Sequence, residues 1–134
     1  MKFRCTCDAI ICDQTDSVPH KAWLLPDESS DEFYSGASEL IAGYMQAVLA
    51  GREIQWLNDN VSEEYSKLGL NRESIVHDLL VRFHIRLNRV VYLCDKCGRL
   101  FVSDPHSKNL LAYSPEDSPV LTDVLRRTSA NTHT

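Results

Sequence analysis

Four of the chain's five cysteines fall into two close pairs, Cys5-x-Cys7 and Cys94-x-x-Cys97, the second followed by Gly98. At these spacings the two sulfurs of a pair lie on one tight turn about 4 Å apart, and two such turns brought together form a tetrahedral cage of thiolates, the donor set Zn²⁺ prefers. In the second turn the backbone N–H groups after Cys94 point at its sulfur, and Gly98 tolerates the positive φ such a turn needs. Lys2, Arg4, Lys96 and Arg99 stand beside these cysteines. Cationic neighbours lower thiol pKa values and offset the negative charge of a four-thiolate site. The expected cofactor is therefore structural Zn²⁺, held by Cys5, Cys7, Cys94 and Cys97.

Rival chemistries meet specific obstacles. In thiol–disulfide oxidoreductases a Cys-x-x-Cys pair opens a helix after a strand, whereas Arg99-Leu100-Phe101-Val102 continues as strand. Catalytic zinc keeps an open coordination position and usually takes a His or carboxylate ligand. The chain has no His-Glu-x-x-His, and no histidine followed by x-Glu of the deaminase pattern. Histidines 20, 77, 84, 106 and 133 form no ligand set by spacing, although His77 and His84 share one helix face. No P-loop, Gly-x-Gly-x-x-Gly or Gly-x-Ser-x-Gly is present, so neither a nucleotide site nor a serine nucleophile is indicated. No catalytic constellation emerges, and a non-enzyme is expected. Two ambiguities stand at the first pair: Asp8 sits where a glycine would ease the turn, and Cys12 could replace Cys5 or Cys7, its alternative being a buried strand thiol.

The elements that must position the cysteines read as follows. Short strands are expected at Lys2 to Cys5, Ala9 to Cys12 and His20 to Leu25. From Ser30 the apolar period changes to three and four, through Phe33, Ala37, Leu40, Ile41, Tyr44, Met45, Val48 and Leu49, until Gly51 stops it. Such a stripe predicts a core-facing helix. Ile54, Trp56 and Leu57 suggest a short helical turn, and Ser62 to Leu68 a further helix ended by Gly69. A second long helix starts at Asn71 as N-cap and runs through Ile75, Val76, Leu79, Leu80, Phe83 and Leu87, with Arg82, Arg86 and Arg89 at i, i+4 and i+7. Its apolar side should pack on the first helix. Strands return at Val90 to Leu93, Leu100 to Ser103 and Leu110 to Tyr113, and residues 119–127 read as a short helix. The predicted class is α+β in one domain: a zinc-ribbon-like antiparallel sheet from residues 1–26 and 90–114, with a helical insertion at 31–88.

The chain has 134 residues, 43% of them apolar, and carries a formal charge of −5. That suits one domain with a real core. The start lacks an apolar run of signal-peptide length, and no stretch reaches the roughly 18 apolar residues that span a bilayer. A cytoplasmic protein is expected, and in a reducing compartment paired cysteines serve metals more often than disulfides. Four thiolates on one Zn²⁺ would add about two further negative charges. Acidic residues gather at Asp27, Glu28, Asp31 and Glu32, and again at Glu63 and Glu64. Such groups are usually a solvated helix start or face. They also fit a basic or mixed partner better than nucleic acid.

Phe3-Arg4-Cys5-x-Cys7 together with Tyr92-x-Cys94-x-x-Cys97-Gly98-Arg99-Leu100 resembles a group of short, uncharacterised bacterial zinc-ribbon proteins that begin Met-x-Phe-x-Cys-x-Cys-Gly. The resemblance covers the first 25 residues and residues 90–103. It implies that both pairs ligate one zinc, with Asp8 departing from the group's glycine, and it implies no activity. At the level of class, a small, acidic chain without a catalytic motif is similar to bacterial toxin-immunity proteins, which bind and block a toxin domain through acidic and aromatic surface groups. The leading expectation is a non-enzymatic binding module for a cognate toxin. Its candidate contacts are Asp27, Glu28, Asp31, Glu32, Trp56, Asp59, Glu63 and Glu64, with Trp23 and Trp56 as possible anchors. The alternative is a nucleic-acid-binding or ribosome-associated zinc ribbon that holds phosphates with Arg82, Arg86, Arg89, Lys96 and Arg99.

Overall fold

The computed structural model describes residues 1–116 and 122–126. The fold is α+β, as the periodicities predict, and divides into two compact units: Met1–Leu24 with Arg89–Thr134, and Leu25–Asn88.

The described residues of the first unit form six strands: β1 (Lys2–Arg4), β2 (Ile10–Cys12), β3 (Lys21–Leu24), β4 (Arg89–Leu93), β5 (Leu100–Ser103) and β6 (Leu110–Tyr113). They form two antiparallel sheets, a β1–β2 pair and a four-stranded sheet in the order β3-β4-β5-β6. Phe3 opposes Ile11 in the small sheet, and Lys21 opposes Tyr92 across β3 and β4. Burial explains the pattern of β4. Val91, Tyr92, Leu93 and the following Cys94 are all enclosed, so this central strand reads as a continuous apolar run. The core gathers Cys5, Ile11, Tyr92, Cys94 and Phe101. Phe3 lies edge-on to Tyr92 and Phe101, with ring centroids 5.5 and 5.0 Å apart. The short β1–β2 hairpin is thereby fastened to the four-stranded sheet by aromatic contacts.

The second unit is helical. A π-helical stretch Glu32–Gly36 leads without interruption into α1 (Ala37–Leu49), followed by α2 (Glu53–Asn60), α3 (Glu63–Ser66) and α4 (Arg72–Leu87). Asn71 caps α4, its side chain accepting from Ser74 N–H at 2.8 Å, and Ser62 caps α3 by accepting from Tyr65 N–H. The region 53–70, weakly patterned in sequence, contains two helices, the first of them two full turns. Gly69 sits at φ +64°, past the end of α3, while the helix itself stops three residues earlier. Tyr44, Leu57, Ile75 and Leu79 form the core between α1, α2 and α4. A methyl group on Gly36 would lie 2.8 Å from the Phe83 ring, so the absent side chain is what admits that ring. Among the described residues no helix is long and apolar enough to cross a membrane.

The expected final helix at 119–127 lies partly outside the described residues; its described part, residues 122–126, forms a turn instead, with Arg126 N–H donating to Asp123 O at 2.8 Å. Arg89, expected as the last of three arginines on one helix, opens β4 instead, because α4 ends at Leu87.

Candidate metal centre

Each cysteine pair occupies a turn closed by matching backbone bonds. In the first, Cys5 N–H donates to Ala9 O at 2.9 Å and Asp8 N–H to Cys5 O at 3.0 Å. In the second, Cys94 N–H donates to Arg99 O at 2.9 Å and Gly98 N–H to Cys94 O at 2.8 Å. The second turn is one residue longer, which is the whole difference between Cys-x-Cys and Cys-x-x-Cys. In both, the residue after the last cysteine is left-handed, Asp8 at φ +67° and Gly98 at φ +71°. Aspartate is among the few residues with a side chain that enter this region at modest cost. The first turn is therefore as regular as the second, despite lacking the glycine.

β1 delivers the first turn and β4 the second, and the aromatic packing of Phe3 on Tyr92 brings them together. The four sulfurs then lie within 4.8 Å of one another. Cys5 Sγ is 3.6 Å from Cys97 Sγ, and Cys7 Sγ is 3.5 Å from Cys94 Sγ. Four thiolates about 2.3 Å from a tetrahedral zinc stand about 3.8 Å from each other, so the separations suit such an ion. All five cysteines are free thiols. The four could hold a metal ion, and they are the only such group among the described residues.

The surroundings act on the sulfurs in opposite directions. Burial pushes the Cys94 thiol up to about 12, even though the backbone N–H groups of Cys97 and Lys96 act in the opposite direction. Burial works the same way on Cys5, but the Cys7 backbone N–H and the sulfurs of Cys97, Cys7 and Cys94 outweigh it and bring that thiol down to about 6. Arg99 spans the rim: its guanidinium contacts Cys5 Sγ at 3.8 Å and Thr6 Oγ1, and its Nε donates to Ser114 Oγ at 3.2 Å. Lys96 Nζ donates to Cys7 O at 2.9 Å. These two cations tie one turn to the other and offset the surplus thiolate charge.

Cys12 ends β2, half-buried, outside the cluster of four, and its carbonyl lies 2.8 Å from His20 Nε2. The acidic candidates are dispersed in use. Asp27, Glu28, Asp31 and Glu64 are exposed. Glu32 instead pairs with Arg86 at 2.7 Å, Glu63 with Lys67 at 2.6 Å, and Asp59 accepts from Gln55 at 2.9 Å. Trp56 is half-buried, its ring tilted on Tyr44 at 5.4 Å, and so packs against the helical core. Trp23 is 46% exposed on β3, with Lys21 Nζ 5.1 Å from its ring centre. Of the arginines, Arg82 donates to Asn60 O at 3.1 Å and Arg86 serves Glu32, so both are occupied within the helical unit.

Sequence reading missed a polar clasp in the strand-rich unit. Asp13 Oδ2 accepts from Lys21 Nζ at 2.7 Å and from Tyr92 Oη at 2.5 Å. The Lys21 contact first, then the Tyr92 bond, holds the Asp13 carboxyl below its usual range, and burial with that carboxylate raises the Tyr92 phenol. Its signal was the β3–β4 register, which sets Lys21 opposite Tyr92.

The chain matches no curated protein and no solved structure. A family model, that of the domain of unknown function DUF8617, matches residues 1–117, a span that takes in both cysteine pairs and the helical unit. The chain belongs to the DUF8617 family.

Proposed function

We propose that the chain is a non-enzymatic, zinc-stabilised protein-binding module. The observation that carries this reading is a set of four sulfurs from two distant turns, all within 4.8 Å of one another. Filled by zinc, such a set uses every tetrahedral position and leaves none for a water or substrate, which is the arrangement of structural sites. The ion would contribute to folding by joining cysteines 92 residues apart in sequence. The ribbon-like packing of both turns, with Arg99 and Lys96 as counter-charges, supports zinc over a redox pair.

In its narrower form the module is a bacterial immunity protein for a cognate toxin, its acidic surface meeting a basic active site. Asp27, Glu28, Asp31 and Glu64, exposed on the helical unit, support that form. The engagement of Arg82 and Arg86 with local acceptors weakens the nucleic-acid alternative.

Two measurements test the two levels separately. Elemental analysis should give one zinc per chain, and cobalt substitution should give the absorption of a four-thiolate site; no bound metal, or an oxygen or nitrogen donor, would overturn the first level. Co-purification with the product of a neighbouring gene, abolished by combined Asp27→Lys and Asp31→Lys, supports the second. Rescue from that product's toxicity by the unaltered chain, absent for the double variant, completes it.

A further inference from the structure

Within the helical unit, α1 and α4 leave an apolar furrow between them. Tyr44 and Val48 of α1 and Val76 of α4 line it, with a cavity volume of about 480 Å³. At its lip stand Met45, 57% exposed, and Leu49, 88% exposed. Gly36 meets Phe83 at one end of the helix pair, while Val48 and Arg72 share the furrow at the other, so the two helices run antiparallel.

Two properties of the furrow select its occupant. Both of its walls are helices, whose backbone groups are already paired within their own turns. An extended segment laid there would bury N–H and C=O groups without partners, at about 1–3 kcal/mol each, whereas a helix arrives with its own bonds made. A third helix lying along two others is also what ridges and grooves accommodate. The second property is charge. The helical unit Leu25–Asn88 holds eleven Asp and Glu against five Lys and Arg, a formal charge of −6 in a chain whose total is −5. At the furrow itself, Arg72 spends Nε and Nη2 on Glu53, which leaves Glu73, exposed in the first turn of α4, as surplus negative charge. Nucleic acid, an anionic bilayer and a second copy of this unit would all bring more negative charge to that face; a basic segment brings the opposite.

We infer that the α1–α4 furrow seats a basic amphipathic helix of a partner protein, its apolar stripe resting on Tyr44, Val48 and Val76 and a lysine or arginine beside that stripe paired with Glu73. Such a seat deepens the binding-module reading and rests on it, and it involves no residue of the metal centre.

The probe is a fluorescein-labelled peptide of leucine and lysine, about 14 residues long, with its leucines at steps of three and four. Its anisotropy is followed as the full chain is raised from about 1 to 300 μM, a range that brackets modest affinities. Two controls separate charge from period: the same peptide with glutamate for every lysine, and a peptide of the same composition in strict alternation. The basic helical peptide should saturate within the range, and each control should bind about tenfold more weakly or not at all. Met45→Gln with Leu49→Gln, which alters exposed side chains only, should weaken binding about tenfold with circular dichroism unchanged. Glu73→Gln should weaken it and reduce its dependence on salt. Absence of saturation, equal binding of either control, or indifference to Met45→Gln with Leu49→Gln would each overturn the seat. The binding-module reading answers separately to co-purification: a neighbouring gene's product still captured by the Met45→Gln, Leu49→Gln chain keeps that reading and removes the furrow from it.

Discussion

Asp8 performs with a carboxylate side chain the left-handed turn that Gly98 performs without one, and the contrast yields a direct test. Asp8→Gly relieves a conformation that costs side-chain-bearing residues about 1–2 kcal/mol, less for aspartate, and loses only an exposed 3.6 Å contact with Arg4. A gain of about 0.5–1 kcal/mol in the unfolding free energy of the metal-loaded protein, measured by denaturant titration, is expected. Gly98→Ala should lose about 1–2 kcal/mol in the same assay. The Asp13 clasp makes a second prediction. A carboxyl depressed in the folded state gives stability that is complete above the unfolded value of about 4 and is lost as pH falls through the folded one. Asp13→Asn should therefore flatten the acid limb of a stability-versus-pH curve, and an unaltered limb would show that the clasp contributes nothing. At this scale the cysteines were legible because spacing alone defines a metal turn. The clasp was not, since strand pairing joins only Lys21 to Tyr92, and Asp13, which follows β2, reaches both from a sheet that shares no strand with theirs.

The helices owe their places to apolar period and caps, and both features could be read along the chain. Ile75 and Leu79 recur one turn apart on α4 and are buried, and Asn71 caps it as its side-chain chemistry dictates. Leu79→Ala, at 1% exposure, should cost about 2–5 kcal/mol, whereas Asn71→Ala should cost about 1 kcal/mol; thermal melts monitored by helical circular dichroism separate the two. α2 was harder to see because its only deeply buried residue is Leu57, and one apolar position does not establish a period. The strands β5 and β6 begin and end where alternation and turn residues place them. The split into two sheets was not visible, because β1 and β2 are three residues each and their partners are chosen by packing of Phe3 and Ile11, not by pattern.

Two cores that share no residue, one of sulfur and aromatic rings and one of helices, imply two melting events. A strong zinc chelator, or Cys97→Ser, should lower the strand-rich transition sharply and leave most of the far-ultraviolet helical signal in place; one cooperative transition moving as a whole would refute this. The helical unit Leu25–Asn88 begins six residues before the block 31–88 marked by the apolar period of three and four, because Asp27–Ser29 is a short helical turn that carries no such period. Leu24 and Arg89, the residues that flank this unit, face each other in the β3–β4 ladder. The unit thus departs and returns through a single gate between neighbouring strands, the geometry from which a tight reverse turn could equally have sprung. A change in the length or content of the block between those two residues would therefore leave the β3–β4 register, and the cysteine turn that follows β4, where they stand.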